Sequence, residues 1–265
     1  MAQTSASGNT ITYAYDALGR TTGITDPRIG ASVTHYNANG RIDYTQDPAG
    51  NTTTFAYDSM GRRISATDPL ANTVRSSYTD HGQLEKTWGS GAYPVHYEYD
   101  SYGRMTKMRT YRGGANWSGS EWPASPGTAD ITEWIYHEAS GLLIAKKDAV
   151  GKSVAYTYIA GGRLARRVWS RQDGTNALAT TYAYNDAGDM AGIDYSDSTP
   201  DVTFTHDRLG RQISASSSVS AHEFIYNAYL QLDTETIVRA GVTNIIERDY
   251  DNLGRASGFD LDSDY

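Results

Sequence analysis

The sequence contains no cysteine, which removes disulfide staples and thiolate metal sites from consideration. It also lacks an excess of positive charge: 23 lysines and arginines stand against 31 acidic residues, a formal net charge of -8. The basic footprint of a nucleic-acid-binding surface is missing, and no nucleic-acid partner is expected. No apolar run approaches the roughly 20 residues that a membrane-spanning helix needs, so no membrane insertion is expected. Met1 to Asn9 is small and polar, without the basic segment and apolar core of a secretory signal peptide. It reads as the start of a piece cut from a longer chain and given an initiating Met. Signatures of catalysis are lacking as well. The six histidines, His35, His81, His96, His137, His206 and His222, show no metal-ligand spacing such as HExxH. There is no Gly-x-Ser-x-Gly elbow and no phosphate loop. Asp260-x-Asp262-x-Asp264 alternates like part of a calcium loop but lacks its glycine and closing glutamate. The expectation is therefore no enzyme, no cofactor and no metal.

What the chain has in abundance is tyrosine, with 21 residues, and glycine, with 26. Their arrangement is periodic. Tyr15-Asp16-Ala17-Leu18-Gly19-Arg20 returns as Tyr57-Asp58-Ser59-Met60-Gly61-Arg62 and as Tyr99-Asp100-Ser101-Tyr102-Gly103-Arg104. The leading tyrosine falls at Tyr15, Tyr36, Tyr57, Tyr78 and Tyr99, always 21 residues apart. It resumes less regularly at Tyr136, Tyr158, Tyr184, His206, Tyr226 and Tyr250, giving eleven copies in all. The last copy is Tyr250-Asp251-Asn252-Leu253-Gly254-Arg255. Some copies are degraded: Gln83 replaces the arginine, Leu230 occupies the glycine position, and Tyr136 to Gly141 carries one extra residue.

Each copy has hairpin chemistry. Alternating segments such as Ile11-Thr12-Tyr13-Ala14-Tyr15 place their aromatic residues on one face of a strand. The aspartate that follows suits the first position of a type I turn, and the glycine suits the left-handed residue that completes it. A return strand begins at the arginine. A second turn, seen in Asp47-Pro48-Ala49-Gly50-Asn51 and Asp68-Pro69-Leu70-Ala71-Asn72 and begun by Asp26-Pro27, leads into the next aromatic strand. Residues 1–8 read as a disordered lead-in and residues 9–265 as a single array of about eleven hairpins. About 22 strands in series twist and curl. The fold expected is all-β: tandem hairpins in a long curved or spiralling antiparallel sheet, an open shell or β-solenoid-like form. In-register tyrosines are expected to stack as a ladder, with the aspartate capping its turn and the arginine a solvated or weakly paired flank.

One interruption breaks the array. Residues 111–130 are rich in Gly, Ser and Pro and hold Trp117 and Trp122, with Trp134 at the start of the next strand. Two readings are open. The three tryptophans could bind a ligand, since flat exposed rings suit sugar faces, or they could fold back to cover the sheet where the register breaks.

The Tyr-Asp dipeptide, the xxGR that follows and the 21-residue period resemble the YD repeats of RHS-type proteins over about residues 9–265. In that family tandem hairpins form a spiralling sheet. It builds the hollow shells of bacterial RHS and Tc toxins and a related barrel in animal teneurins. The resemblance implies a non-catalytic scaffold, a section of shell or stalk of a large extracellular or cell-surface protein. Its partners would be flanking YD repeats or copies of itself, joined through sheet edges. The alternative it implies is a module that binds carbohydrate or a cell-surface ligand. Complete RHS toxins end in a core segment with an aspartate-dependent self-cleavage site. Asp249, Asp251, Asp260, Asp262 and Asp264 lie instead in plain repeat context, so self-cleavage and a toxin payload do not carry over. Within the repeat, Tyr15, Asp16, Gly19, Tyr57, Asp58, Gly61, Tyr99, Asp100, Gly103, Tyr250, Asp251 and Gly254 are the expected structural positions.

Overall fold

The computed structural model describes residues 2–4, 10–113 and 115–263. All 23 regular elements among them are strands, and the chain divides into two units, residues 1–134 and 135–265.

In the first unit β1 (Ala2–Thr4) is followed by β2 (Thr10–Tyr15), β3 (Thr21–Asp26), β4 (Gly30–Tyr36), β5 (Ile42–Gln46), β6 (Thr52–Tyr57) and β7 (Arg63–Thr67). Then come β8 (Thr73–Tyr78), β9 (Leu84–Trp88), β10 (Val95–Tyr99), β11 (Met105–Tyr111) and β12 (Ala129–Tyr136), the last carrying the division between units. Each strand of this unit pairs antiparallel with its chain neighbours. Residues 2–4 thus pair with β2 where the sequence suggested a disordered lead-in; residues 1 and 5–8 lie outside the described residues.

The second unit holds β13 (Leu143–Lys147), β14 (Ser153–Tyr158), β15 (Leu164–Asp173), β16 (Asn176–Tyr184), β17 (Met190–Tyr195) and β18 (Val202–His206). It continues with β19 (Gln212–Ser216), β20 (Ser220–Tyr226), β21 (Leu232–Arg239), β22 (Val242–Tyr250) and β23 (Ala256–Ser263). These too pair antiparallel in chain order. The all-β tandem-hairpin architecture read from the sequence is the architecture of each unit.

The register explains how hairpins join. Within a hairpin the ladder runs up to the motif turn, with a bulge just before the tyrosine. Ala56 faces Ser65 and Tyr57 faces Arg63, leaving Ile64 unpaired. Between hairpins the ladder covers only the opposite half: β5 and β6 pair at Tyr44–Thr54, Thr45–Thr53 and Gln46–Thr52 and no further toward the motif. Backbone groups near the motif edge are thereby left without a ladder partner, and something else must satisfy them.

Little of either face is buried. Among the described residues only Trp88, Tyr111 and Ala179 are buried apolar side chains. Stability therefore rests on ladders, turns and their side-chain bonds more than on a two-layer core.

Candidate functional site

The motif can be built up from Asp58. Its carbonyl accepts the Gly61 amide at 2.9 Å and its own amide donates to the Arg62 carbonyl at 3.0 Å, closing a type I turn with Gly61 left-handed at φ 84°. One carboxylate oxygen accepts the Arg62 amide at 2.9 Å and the other accepts Arg62 Nε at 2.7 Å. The aspartate thus caps the turn and fixes the arginine in one conformation. The expected weakly paired flank is instead a held guanidinium: Arg62 and Asp58 are only about a quarter and a fifth exposed.

The fixed arginine then reaches the next hairpin. Arg62 lies over the Tyr78 ring at 4.7 Å and donates Nη1 to the Thr79 carbonyl at 3.2 Å. Arg20 over Tyr36 and Arg211 over Tyr226 repeat the contact at 4.3 Å. Continuing the β5–β6 register places Tyr57 opposite Arg41, so arginine over tyrosine is a property of the pairing itself. The tyrosine answers from the other side. Tyr57 Oη donates to the Ile42 carbonyl at 2.8 Å, Tyr78 to Arg63 at 2.8 Å and Tyr99 to Leu84 at 2.7 Å. Each accepting carbonyl starts the preceding return strand, where the ladder stops. Successive motif tyrosines are two strands apart, about 9–10 Å, too far for rings to touch. The ladder of stacked rings is replaced in these copies by alternating guanidinium and phenol.

The other predicted repeat residues occupy the same positions. Asp16 accepts the Leu18 and Arg20 amides and Arg20 Nε, with Gly19 at φ 77°. Asp100 and Asp251 repeat this with Arg104 and Arg255, beside Gly103 at φ 81° and Gly254 at φ 74°. Tyr250 Oη donates to the Leu232 carbonyl at 2.8 Å. Tyr15, whose strand β2 pairs with β3 on one side but has only the three-residue β1 on the other, is 46 % exposed. The Arg20 amide and then its guanidinium hold the Asp16 carboxyl below the usual carboxylate value. At the opposite edge the Asn51 side-chain amide, then its backbone amide, do the same for Asp47.

The insertion folds back on the sheet. Trp122 packs against Trp117 at 5.0 Å, Tyr111 at 5.6 Å and Trp88 at 5.7 Å, with Lys86 Nζ 6.0 Å from its ring centre. The Gly119 carbonyl pins the loop, accepting Trp88 Nε1 at 3.3 Å and Arg75 Nε at 3.1 Å. Trp117 and Trp122 are thus brought together, half-buried, while Trp134 lies half-buried on β12. Sequence reasoning did not single out Trp88 and Tyr111, the two buried rings on which the loop sits. The available signal was a bulky aromatic ending each strand beside an irregular, glycine-rich connection. Among the described residues no group of His, Asp and Glu side chains is arranged to hold a metal.

Residues 1–28 and 36–73 match the family model described as RHS Repeat. These residues carry RHS repeats. No curated protein sequence matches the chain. Among solved structures, TcdB2-TccC3 without its hypervariable C-terminal region matches 99% of this chain with a TM-score of 0.50 at 16% identity, and so shares its fold. A second structure of TcdB2-TccC3 aligns over 99% of this chain at 16% identity with a TM-score of 0.49. The Photorhabdus luminescens Tc holotoxin pore with a mutant TccC3 aligns over 99% of it at 15% identity with a TM-score of 0.41. The chain spans 18% of the length of each of these chains.

The copies that depart from the motif keep its backbone by other means. Asn37 and Asn227 accept the same amides through Oδ1. Thr79 accepts the Gln83 amide through Oγ1 at 3.2 Å. His137 starts the turn with one extra residue, its amide donating to the Leu142 carbonyl. Leu230 takes the glycine position at φ 68°, and at the other edge Ala71 does so at φ 64°. Where Gln83 and Gln231 replace the arginine, their amides still cross to the next hairpin, donating to the Gly103 and Gly254 carbonyls at 2.7 Å.

Proposed function

We propose that this chain is a non-catalytic scaffold, a section of the wall of an extracellular or cell-surface RHS-type shell. The observation that supports it most is the lock between consecutive hairpins. Tyrosine to carbonyl and arginine over tyrosine recur along the sheet and join neighbours rather than enclose a substrate. A wall needs each unit held to the next, and this motif does that between successive hairpins wherever the tyrosine and arginine are kept. The fold shared with TcdB2-TccC3 agrees with such a role. In this reading the outermost strands pair with further RHS hairpins, either of a longer chain or of another copy, because an unpaired strand edge templates strand addition.

Electron microscopy of the longest natural chain containing these repeats tests the wall. The strands are expected in a closed surface around a lumen; an isolated sheet with no enclosed space would overturn the reading. Light scattering of the purified chain tests pairing between copies. Concentration-dependent association is expected, and a strict monomer at high concentration would leave only pairing within one longer chain.

A further inference from the structure

The two glutamine copies carry an inference that is independent of the shell reading. At Tyr36, Tyr78 and Tyr226 the ring is covered by the arginine of the preceding motif. The register puts Gln231 in that place for Tyr250: Thr234 faces Glu247, so residue 231 falls opposite residue 250. Its shorter, neutral side chain turns to the Gly254 carbonyl at 2.7 Å and takes Asn227 Nδ2 at 3.2 Å. A groove of about 750 Å³ opens there between the turns at 227–231 and 251–255, lined by Tyr229, Gln231, Asp233, Asp249, Tyr250 and their neighbours.

The charges in the groove do not balance. Arg248 is paired with Glu235 at 2.8 Å, and Asp251 with Arg255 at 2.7 Å. Asp233 and Asp249 also line the groove, and among the described residues neither has an ion-pair partner. Two carboxylates without ion-pair partners therefore line a groove beside a tyrosine whose preceding motif has glutamine in place of arginine. An aromatic face and carboxylates together favour a cation.

We propose that this groove binds the guanidinium or ammonium group of a basic polypeptide segment, which takes the place that the motif arginine holds elsewhere. The Gln83 copy serves as an internal control. Its groove, about 500 Å³, has the same glutamine-to-carbonyl bond beside Tyr99. There, however, Glu85 is paired with Lys86, Glu98 with Arg109 and Asp100 with Arg104. It has no surplus carboxylate to attract a cation.

The probe is an acetylated, amidated Arg-Arg-Arg tripeptide, with its citrulline counterpart as the neutral isostere, followed by calorimetry and amide chemical shifts. Saturable binding is expected for the arginine peptide, with shifts centred on residues 227–254, and none for the citrulline peptide. Gln231→Arg supplies the protein's own guanidinium and should weaken binding by at least about fivefold while leaving the thermal midpoint unchanged or raised. The double change Asp233→Asn and Asp249→Asn should weaken it by a similar factor without altering the turns, and Gln83→Arg should leave it unchanged. Equal binding of the citrulline peptide, no saturable binding, or undiminished affinity in both groove variants would overturn the proposal.

Discussion

The two rows of turns in the N-terminal unit share a backbone and differ in one residue. At one edge Asp58 caps a turn ending in Arg62; at the other Asp47 and Asp68 cap turns ending in Asn51 and Asn72. In both, the first amide bonds the last carbonyl and the aspartate takes the last residue's amide at 2.8–2.9 Å. The asparagines return Nδ2 to their own aspartate at 2.8 and 3.0 Å, and the side chain ends there. The arginine spends Nε on the same bond and has a guanidinium left over, which crosses to Tyr78 and Thr79. One row closes its own turns; the other also couples hairpins. The row needing that coupling is the one where the ladder between hairpins stops short.

The largest expected break in this contrast is between two glycines of equal conformation. Gly61 and Gly50 both have φ near 85°, so alanine at either incurs the left-handed penalty of roughly 1 kcal/mol. A methyl group at Gly50 meets nothing within 4 Å, whereas at Gly61 it would overlap the Arg41 guanidinium and drive it from Tyr57. Gly61→Ala should therefore cost about 2 kcal/mol and Gly50→Ala about 1 kcal/mol, measured by urea unfolding. Equal costs would mean that the guanidinium couples nothing.

A smaller effect is expected from Tyr57→Phe, which keeps the ring under Arg41 but leaves the Ile42 carbonyl without the phenol. About 1 kcal/mol should be lost, and hydrogen exchange should accelerate on both sides of the β5–β6 junction. Asn51→Ala should accelerate exchange only within its own turn. Spread of the Asn51 effect into neighbouring hairpins would erase the distinction between the rows.

The strands and both turns were legible because each is a local code: alternation sets the strand, aspartate and glycine set the turn. The role of Arg62 was not legible from Tyr57 to Arg62 alone. Its partner Tyr78 is 16 residues on, and only the register between hairpins puts the two together. The packing of Trp122 on Trp88 was half legible. A tryptophan-bearing loop announces itself, but part of the surface that receives it, Trp88, belongs to β9, two strands back in the chain. The net charge of -8 likewise says nothing of where individual carboxylates lack partners.

Two positions permit the opposite experiment. Ala71 and Leu230 hold left-handed backbone, φ 64° and 68°, where their relatives use glycine. One lies in each row, though in different units of the chain. Ala71→Gly and Leu230→Gly should each raise stability by up to about 1 kcal/mol, the relieved strain being partly offset by the freer unfolded chain. If only one gains, the rows tolerate strain differently.

Acid should act on both rows alike, and this is the smallest effect expected. Their aspartates are held below the usual carboxylate value: Asp16 by the Arg20 amide and guanidinium, and Asp47 by the Asn51 side-chain and backbone amides. Asp26 is lowered furthest, to about 2, by hydrogen bonds from the Arg28 guanidinium and then its amide. A carboxyl whose folded pKa lies below its unfolded one stabilises the protein above the unfolded value, and that contribution is lost as pH falls through the folded value. The thermal midpoint should therefore decline from pH near 4 toward pH 2. In Asp26→Asn the decline should be shallower, most visibly at the acid end of that window. A slope identical to that of the parent chain would show that the Asp26–Arg28 fork persists in the unfolded state or contributes nothing to folding.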